Sequence, residues 1–400
     1  MEPASVARFR EYLKIETVHP NPDYVNCTKF LERQAKEIGL EYNVVECVPG
    51  KPTVIMTWRG TDPNLKSILL NSHTDVVPVF EEFWEYPPFS AERVPTDDGD
   101  FKIYARGTQD MKVVGSCYLE AIRNLKAAGK TLTRDVHLTF VPDEEIGGTD
   151  GMKMFLETEF FKNMNIGFAL DEGMPNPGPE LYAFHVERLR NPVRFTTHGT
   201  TGHGSQFIKD TAIAKLMDIG NELLAYRDVQ EAKLISQYGE IGQHNLGEVT
   251  TVNMTMVNGG VQANVVPENF TAVFDIRVTP SQNIPEFNDW LKSLAAKHNA
   301  DFENLSEVND SGALDISSDT KYWNVVLDVV QSRGLKVINA IYPAATDSRY
   351  LRMAGIPAIG ISLLKNIPFL LHVHNEYVTE SLFLEGIDFY TELIPKLSQV

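Results

Sequence analysis

The chain has 400 residues, with 36 lysines and arginines against 54 aspartates and glutamates, a formal net charge of −18. So acidic a chain excludes nucleic acid and anionic membrane as general partners, because both repel it over most of its surface. No run reaches the roughly 18 to 20 consecutive apolar residues that span a bilayer. Three cysteines, Cys27, Cys47 and Cys117, are too few and too odd for a disulfide framework. They predict free thiols in a reducing compartment, hence a cytoplasmic protein.

The first twenty residues are charged and amphipathic and lack the apolar stretch of a secretory signal. Val6, Phe9, Leu13 and Ile15 recur at helical spacing and predict a helix over 4–16. Residues 67–72, SILLNS, and 135–141, DVHLTFV, read as apolar strands. Between them, Tyr118, Ile122 and Leu125 give 115–128 a helical period. Strands alternating with helices predict an α/β domain, a mostly parallel sheet with helices on both faces.

After about residue 188 the pattern changes. Residues 248–257 alternate, and 270–278 place Phe270, Ala272, Phe274, Ile276 and Val278 on one face. Helices are predicted near 211–226 and 285–298, the second from Phe287, Trp290, Leu291 and Leu294. Apolar runs return at 335–342 and 357–362, and a last helix starts near 381. The simplest organisation is a catalytic α/β domain over 1–188 and 313–400, interrupted by an α+β insert over 189–312.

Five groups of acids and histidines stand beside predicted strand ends. The first is Ser72-His73-Thr74-Asp75. A neutral imidazole is a good zinc ligand, and Asp75 can fix its tautomer. The second contains Asp110, after a glycine turn and at a helix start. Alone it is a helix cap, but its two oxygens can also bridge two cations. The third is Asp143-Glu144-Glu145, where like charges repel unless a cation or solvent compensates. One glutamate can bind metal while its neighbour acts as base on a water. The fourth is Asp171-Glu172, and the fifth is Leu371-His372-Val373-His374-Asn375-Glu376. Each is weak alone. Together they count for more, because a parallel sheet gathers strand ends along one edge.

The stretches NSHTDVVPV, YARGTQDMK, FVPDEEIGG, ALDEG, GGVQANVVP, PAATDSRY and LLHVHNE resemble the zinc-dependent amidohydrolases and peptidases of the M20 metallopeptidase family. The resemblance covers about residues 5–397. It implies hydrolysis of N-acyl-L-amino acids at two zinc ions bridged by Asp110. His73 and Glu172 would complete one site, Glu145 and His372 the other. Asp171 competes with Glu172, and His374 with His372. His372 is preferred because the family places a histidine four residues before a glutamate, here Glu376. Glu144 would be the general base, with Asp75 orienting His73.

The resemblance also implies substrate groups. His203, in Gly202-His203-Gly204-Ser205, matches a family histidine that stabilises the oxyanion, in dimeric relatives across the subunit boundary. Asn264 and Arg349 match positions that hold the substrate carboxylate or carbonyl, and a guanidinium fork suits a carboxylate. Arg277, on the alternating strand, serves the same region or forms a surface salt bridge. The insert would act as lid and homodimer interface. Thr201 and Gly204 depart from the proline and alanine common around the family's lid histidine, and 187–192, ERLRNP, from the aromatic-rich hinge expected there. Three other readings stand: an amidase for long-chain fatty acyl amino acids, a dipeptidase, and a non-catalytic scaffold. His137 reads as a packed residue. His19, His185, His198, His244 and His298 show no acidic partner pattern. Met152, Met154 and Phe155 read as helix core, and Trp84 either lines a groove or packs its loop.

Overall fold

The computed structural model describes residues 2–305 and 320–400. The expected boundary at 312–313 lies outside them. Among the described residues the chain divides into two compact units. One comprises 2–185, 320–339 and 346–400, the other 186–305 and 340–345.

The larger unit is built on an eight-stranded sheet. Its order is Glu41–Val48, Lys51–Trp58, Val136–Val141, Ser67–His73, Ile166–Asp171, Ala358–Ile361, Leu181–Glu187, Val337–Tyr342. The four strands from Val136–Val141 to Ala358–Ile361 run parallel. Glu41–Val48 pairs antiparallel with Lys51–Trp58, and that strand with Val136–Val141. The sheet is therefore mixed, with its parallel part at the centre. Both predicted apolar runs fall in that centre, where neither face meets water.

Alternation divides the core between the two faces. Ile68, Leu70, Val136, Leu138 and Phe140 pack with helices Ala4–Leu13, Tyr24–Ile38, Lys112–Ala127 and Glu380–Leu397. Leu69, Val141 and Ala169 point the other way, onto Met152, Phe155 and Phe161. Met152 and Phe155 are core as expected, whereas Met154 is exposed. The helix Tyr24–Ile38 starts where the Asp23 carboxylate accepts the Asn26 N–H at 3.0 Å, and stops at Gly39 with φ +74°. The N-terminal helix ends at Leu13, so Ile15 packs from beyond it.

The smaller unit has an antiparallel sheet in the order Thr251–Gly259, Asn269–Val278, Val193–His198, Ala300–Asn304. Helices Ala212–Tyr238 and Ile284–Lys297 contribute Leu216, Ile219, Leu223, Phe287 and Leu291 to its core. Ala272, Phe274, Ile276 and Val278 face that core as the alternation predicts. Thr251–Gly259 does not keep its alternation. Its register shifts between Met254 and Met256, and past Val252 its side chains are exposed. A bulge adds a residue and turns the following side chains over, which no periodicity reveals.

Candidate metal and catalytic site

The three adjacent parallel strands Val136–Val141, Ser67–His73 and Ile166–Asp171 all end on one edge. Ligands of α/β sheets gather at such carboxyl ends. Here those ends deliver Asp143-Glu144-Glu145, His73-Thr74-Asp75 and Asp171-Glu172 side by side.

His73 is buried and held by its own neighbourhood. Its Nδ1 donates to the Asp75 backbone carbonyl at 2.9 Å. A carbonyl only accepts, so the proton sits on Nδ1 and Nε2 is turned to the carboxylates. Nε2 lies 3.0 Å from Asp110 Oδ1 and 3.9 Å from Glu172 Oε2. On the other side, His372 Nε2 lies 3.0 Å from Asp110 Oδ2 and 3.1 Å from Glu145 Oε2. The two oxygens of Asp110 thus face two separate histidine–glutamate pairs. His73, Asp110 and Glu145 bring ligand atoms within 4.8 Å of one another, as do His73, Glu144 and Glu172.

Asp110 sits two residues before the helix Lys112–Ala127 rather than at its first position. Its segment is pinned by Glu376. The buried Glu376 carboxylate accepts from Arg106 at 2.8 Å, Gly107 N–H at 3.1 Å and Gln109 N–H at 2.6 Å. This glutamate belonged to a singled-out motif, but its partners lie some 270 residues away in sequence. Trp84 is buried with its ring 5.3 Å from the Arg106 guanidinium, so it packs this loop.

The two open choices separate by geometry. Asp171 accepts from Asn71 at 3.0 Å and Ser348 at 2.7 Å, which leaves Glu172 turned toward His73. His372, with φ +63°, faces the acids, whereas the His374 ring lies 5.1 Å from that of Phe83.

Electrostatics explain why such a cluster fits a cation. Burial, then repulsion from Asp110, pushes Glu145 up to about 7. Burial, then Asp171, pushes Asp347 up to about 8. Burial also raises Glu144 and Glu172 well above the usual carboxylate range. Among the described residues, Glu145 Oε1 and both Asp347 oxygens are buried without a hydrogen-bond partner. Buried acids this crowded need compensating positive charge. The donor set is nitrogen and oxygen with no thiolate, which suits a divalent metal.

Asp75, expected to orient His73, meets it more closely through its backbone than through its carboxylate. Its side-chain Oδ1 is 3.6 Å from His73 Nδ1, while its backbone carbonyl makes the shorter contact. The carboxylate instead accepts the N–H groups of Glu144 at 3.1 Å and Glu145 at 3.0 Å. It also accepts from His19 at 2.8 Å. Burial alone would raise Asp75, but the bond from His19 and the nearby His73 ring outweigh it and hold the carboxyl at about 2. Sequence spacing gave His19 no acidic partner, because that partner is 56 positions away. The same holds for His198 with Asp301 at 2.8 Å and His298 with Glu222 at 2.9 Å. His137 is packed as expected, its Nδ1 2.9 Å from the Thr57 hydroxyl.

Arg349 donates to the Gly147 carbonyl at 2.7 Å, on the turn that carries Glu144 and Glu145. In the smaller unit, His203 and Asn264 are neighbours. His203 Nδ1 lies 2.8 Å from the Ser205 hydroxyl and 3.2 Å from the Ser205 N–H, and its Nε2 lies 3.4 Å from the Asn264 side-chain nitrogen. Gly204 N–H donates to the Asn264 carbonyl at 2.8 Å, so the departure from the family turn is still tied down. Arg277 pairs with Asp275 on its own strand, Nε to Oδ1 at 2.7 Å.

Residues 69–396 match the model of peptidase family M20/M25/M40. Aminoacylase-1 of Sus scrofa is 44% identical over 401 residues, covering 100% of this chain and 96% of that protein. Aminoacylase-1 of Dictyostelium discoideum is 42% identical, covering 98% of this chain and 97% of that protein. A metallo-carboxypeptidase of the M20 family from Sulfolobus solfataricus shares the fold with a TM-score of 0.75 at 18% identity, each chain covered in full. A dinuclear metal-binding M20 peptidase from Bacillus subtilis does so at a TM-score of 0.68 and 16% identity, over 100% and 99% of the two chains. With the model matched across most of its length and relatives matched end to end, this chain belongs to peptidase family M20/M25/M40.

Proposed function

We propose that this chain is a metal-dependent amidohydrolase that cleaves N-acyl-L-amino acids to a carboxylic acid and a free L-amino acid. The full-length similarity to aminoacylase-1 proteins supports the substrate class. The observation that carries the chemistry is Asp110, whose two oxygens face His73 with Glu172 and His372 with Glu145. These five side chains would hold two zinc ions, with Asp110 shared. When bound, zinc supplies Lewis acidity toward water and the amide carbonyl.

The chain's own groups then divide the work. Glu144, buried beside these ligands, takes a proton from the attacking water and returns it to the leaving nitrogen. Asp75 fixes the two amides from which Glu144 and Glu145 project. His203, with Asn264 beside it, would donate to the developing oxyanion. Arg349 is the candidate for the substrate carboxylate, and Arg277 would serve the same end only by leaving Asp275.

Residues 189–312 are proposed as a lid and homodimer interface. Met217 and Ile235 on Ala212–Tyr238 and Met256 and Val257 on Thr251–Gly259 are all at least half exposed. Such apolar groups on a helix and an edge strand favour burial against a second copy. A cytoplasmic location is supported by the free state of Cys27, Cys47 and Cys117.

The test is free-amine release from N-acyl-L-amino acids ranging from acetyl to long fatty acyl, with and without chelator. Chelator-sensitive release supports the reading, and the chain-length profile separates a short-chain acylase from a lipoamino-acid hydrolase. A metal-loaded protein that releases no amine from any of them but cleaves dipeptides would replace it. Light scattering should give twice the chain mass, falling to one chain mass for Met256→Glu. A wild-type protein that runs as a monomer removes the dimer.

A further inference from the structure

Three side chains from the first fifty-one residues stand behind the turn that carries Glu144, and the mechanism above does not use them. His19 follows the first helix, Tyr24 opens the second, and Lys51 opens a sheet strand. The His19 N–H donates to the Val76 carbonyl at 3.2 Å and the Val76 N–H to the Thr17 carbonyl at 2.9 Å, so the backbone at His19 is tied to the residue that follows Asp75. His19 Nε2 then donates to Asp75 Oδ2, with the imidazole only 9% exposed. Through Asp75 this contact reaches both amides of the Glu144–Glu145 turn.

The second arm acts on Asp143. This residue turns the chain out of Val136–Val141 with φ +62°, a left-handed conformation that costs a non-glycine residue energy. It is held at three atoms. Tyr24 Oη accepts the Asp143 N–H at 3.0 Å and donates to Oδ1 at 2.6 Å. Lys51 Nζ lies 2.5 Å from Asp143 Oδ2 and 2.6 Å from Asp150 Oδ2.

His19, Asp75 and Asp143 lie close enough to be considered as a third cation site. The lysine argues against that use. Its ammonium already sits on Asp143, Tyr24 takes the other oxygen, and His19 is 4.0 Å from the nearer one. The cluster carries its own counter-charge and has the makings of a brace.

We propose that His19 and Tyr24, with Lys51, are positioning residues that set the Glu144 carboxylate for proton transfer, His19 through Asp75 and Tyr24 through Asp143. The proposal rests on the reading of Glu144 as the base. A misplacement of about 1 Å in a reacting group costs on the order of a hundredfold in rate, so a brace this close should act on turnover.

The test uses purified, metal-loaded enzyme and an N-acetyl amino acid, with kcat, KM, metal content and thermal melting measured on each variant. His19→Ala should lower kcat about 10- to 100-fold while KM stays within about twofold and metal content is unchanged. His19→Gln, whose amide can still donate to Asp75, should recover kcat to within about threefold of wild type. Unchanged kcat in folded His19→Ala, or a Gln variant no better than Ala, overturns the proposal. Should His19→Ala fail to fold or to hold metal, Tyr24→Phe decides. It removes one hydroxyl, and an unaltered kcat there overturns the proposal equally. Glu144→Gln keeps the two readings apart. If it is inactive while the brace variants match wild type, only the brace falls. If it turns over normally, the base assignment itself falls.

Discussion

Glu376→Gln tests whether one buried carboxylate holds the segment that ends in Asp110. Glu376 Oε2 accepts from Arg106 and Gly107, and Oε1 from Gln109 and, at 3.4 Å, Asp110. A glutamine has one acceptor oxygen, so in either orientation its NH2 faces two N–H donors. Each buried donor left without an acceptor costs roughly 1–3 kcal/mol. Arg106, only 2% exposed, also loses its carboxylate. Breaking a buried ion pair costs about 3–5 kcal/mol, and the two costs overlap, so about 3–5 kcal/mol in total is expected. Because Asp110 hangs from this segment, metal affinity should fall about 10- to 100-fold as well. Urea unfolding followed by tryptophan fluorescence reads the stability, since Trp58, Trp84 and Trp323 belong to the larger unit and Trp290 alone to the smaller. Wild type and variant must be compared at equal free metal, because bound metal adds to stability by mass action. A loss below about 1 kcal/mol with unaltered metal affinity would refute the reasoning.

Glu144→Gln should keep metal content at the wild-type value and lower kcat by about 10²- to 10⁴-fold, as measured by amine release and metal analysis. Asp110→Asn should abolish stoichiometric metal binding, since the Asp110 carboxylate faces both histidine–glutamate pairs; retention of full metal content would contradict the shared role. His137 gives a pH signature unrelated to catalysis. Burial, partly opposed by Asp135, lowers it from 6.5 to about 4 in the folded chain. The unfolded chain therefore binds the extra proton between those values, and folded stability falls as pH drops from about 6.5 to about 4. The full effect is about 3 kcal/mol. His137→Gln should flatten that part of the stability profile in urea melts at fixed metal. Phe274→Ala should destabilise the smaller unit by about 3–5 kcal/mol, since this fully buried ring packs edge-on against Phe195.

The two central strands were legible because both their faces are buried, which makes them continuous apolar runs. The Lys51–Trp58 and Leu181–Glu187 strands escaped notice, and the long helix Ala212–Tyr238 was expected only as far as 226. That helix has apolar residues on its exposed side too, Met217, Leu224 and Ile235 among them, which blurs a one-faced period. The mixed character of the sheet was also out of reach, since pairing direction depends on where each connection returns the chain.

By itself the sequence determined the kinds of chemistry present and where along the chain they fall. Acids and histidines after apolar strands, without cysteine among them, offer oxygen and nitrogen ligands to a metal. Parallel pairing brings such strand ends together, whatever the details. What the tertiary structure decided was direction and partnership. Neighbouring Asp171 and Glu172 point to opposite sides, because side chains alternate along extended backbone. Which of them faces His73 depends on strand register, which no local pattern encodes. His372 rather than His374 meets Asp110 because of one left-handed residue. His19 and Glu376 act across 56 and about 270 positions of sequence, and contacts at that separation exist only once the chain has closed on itself.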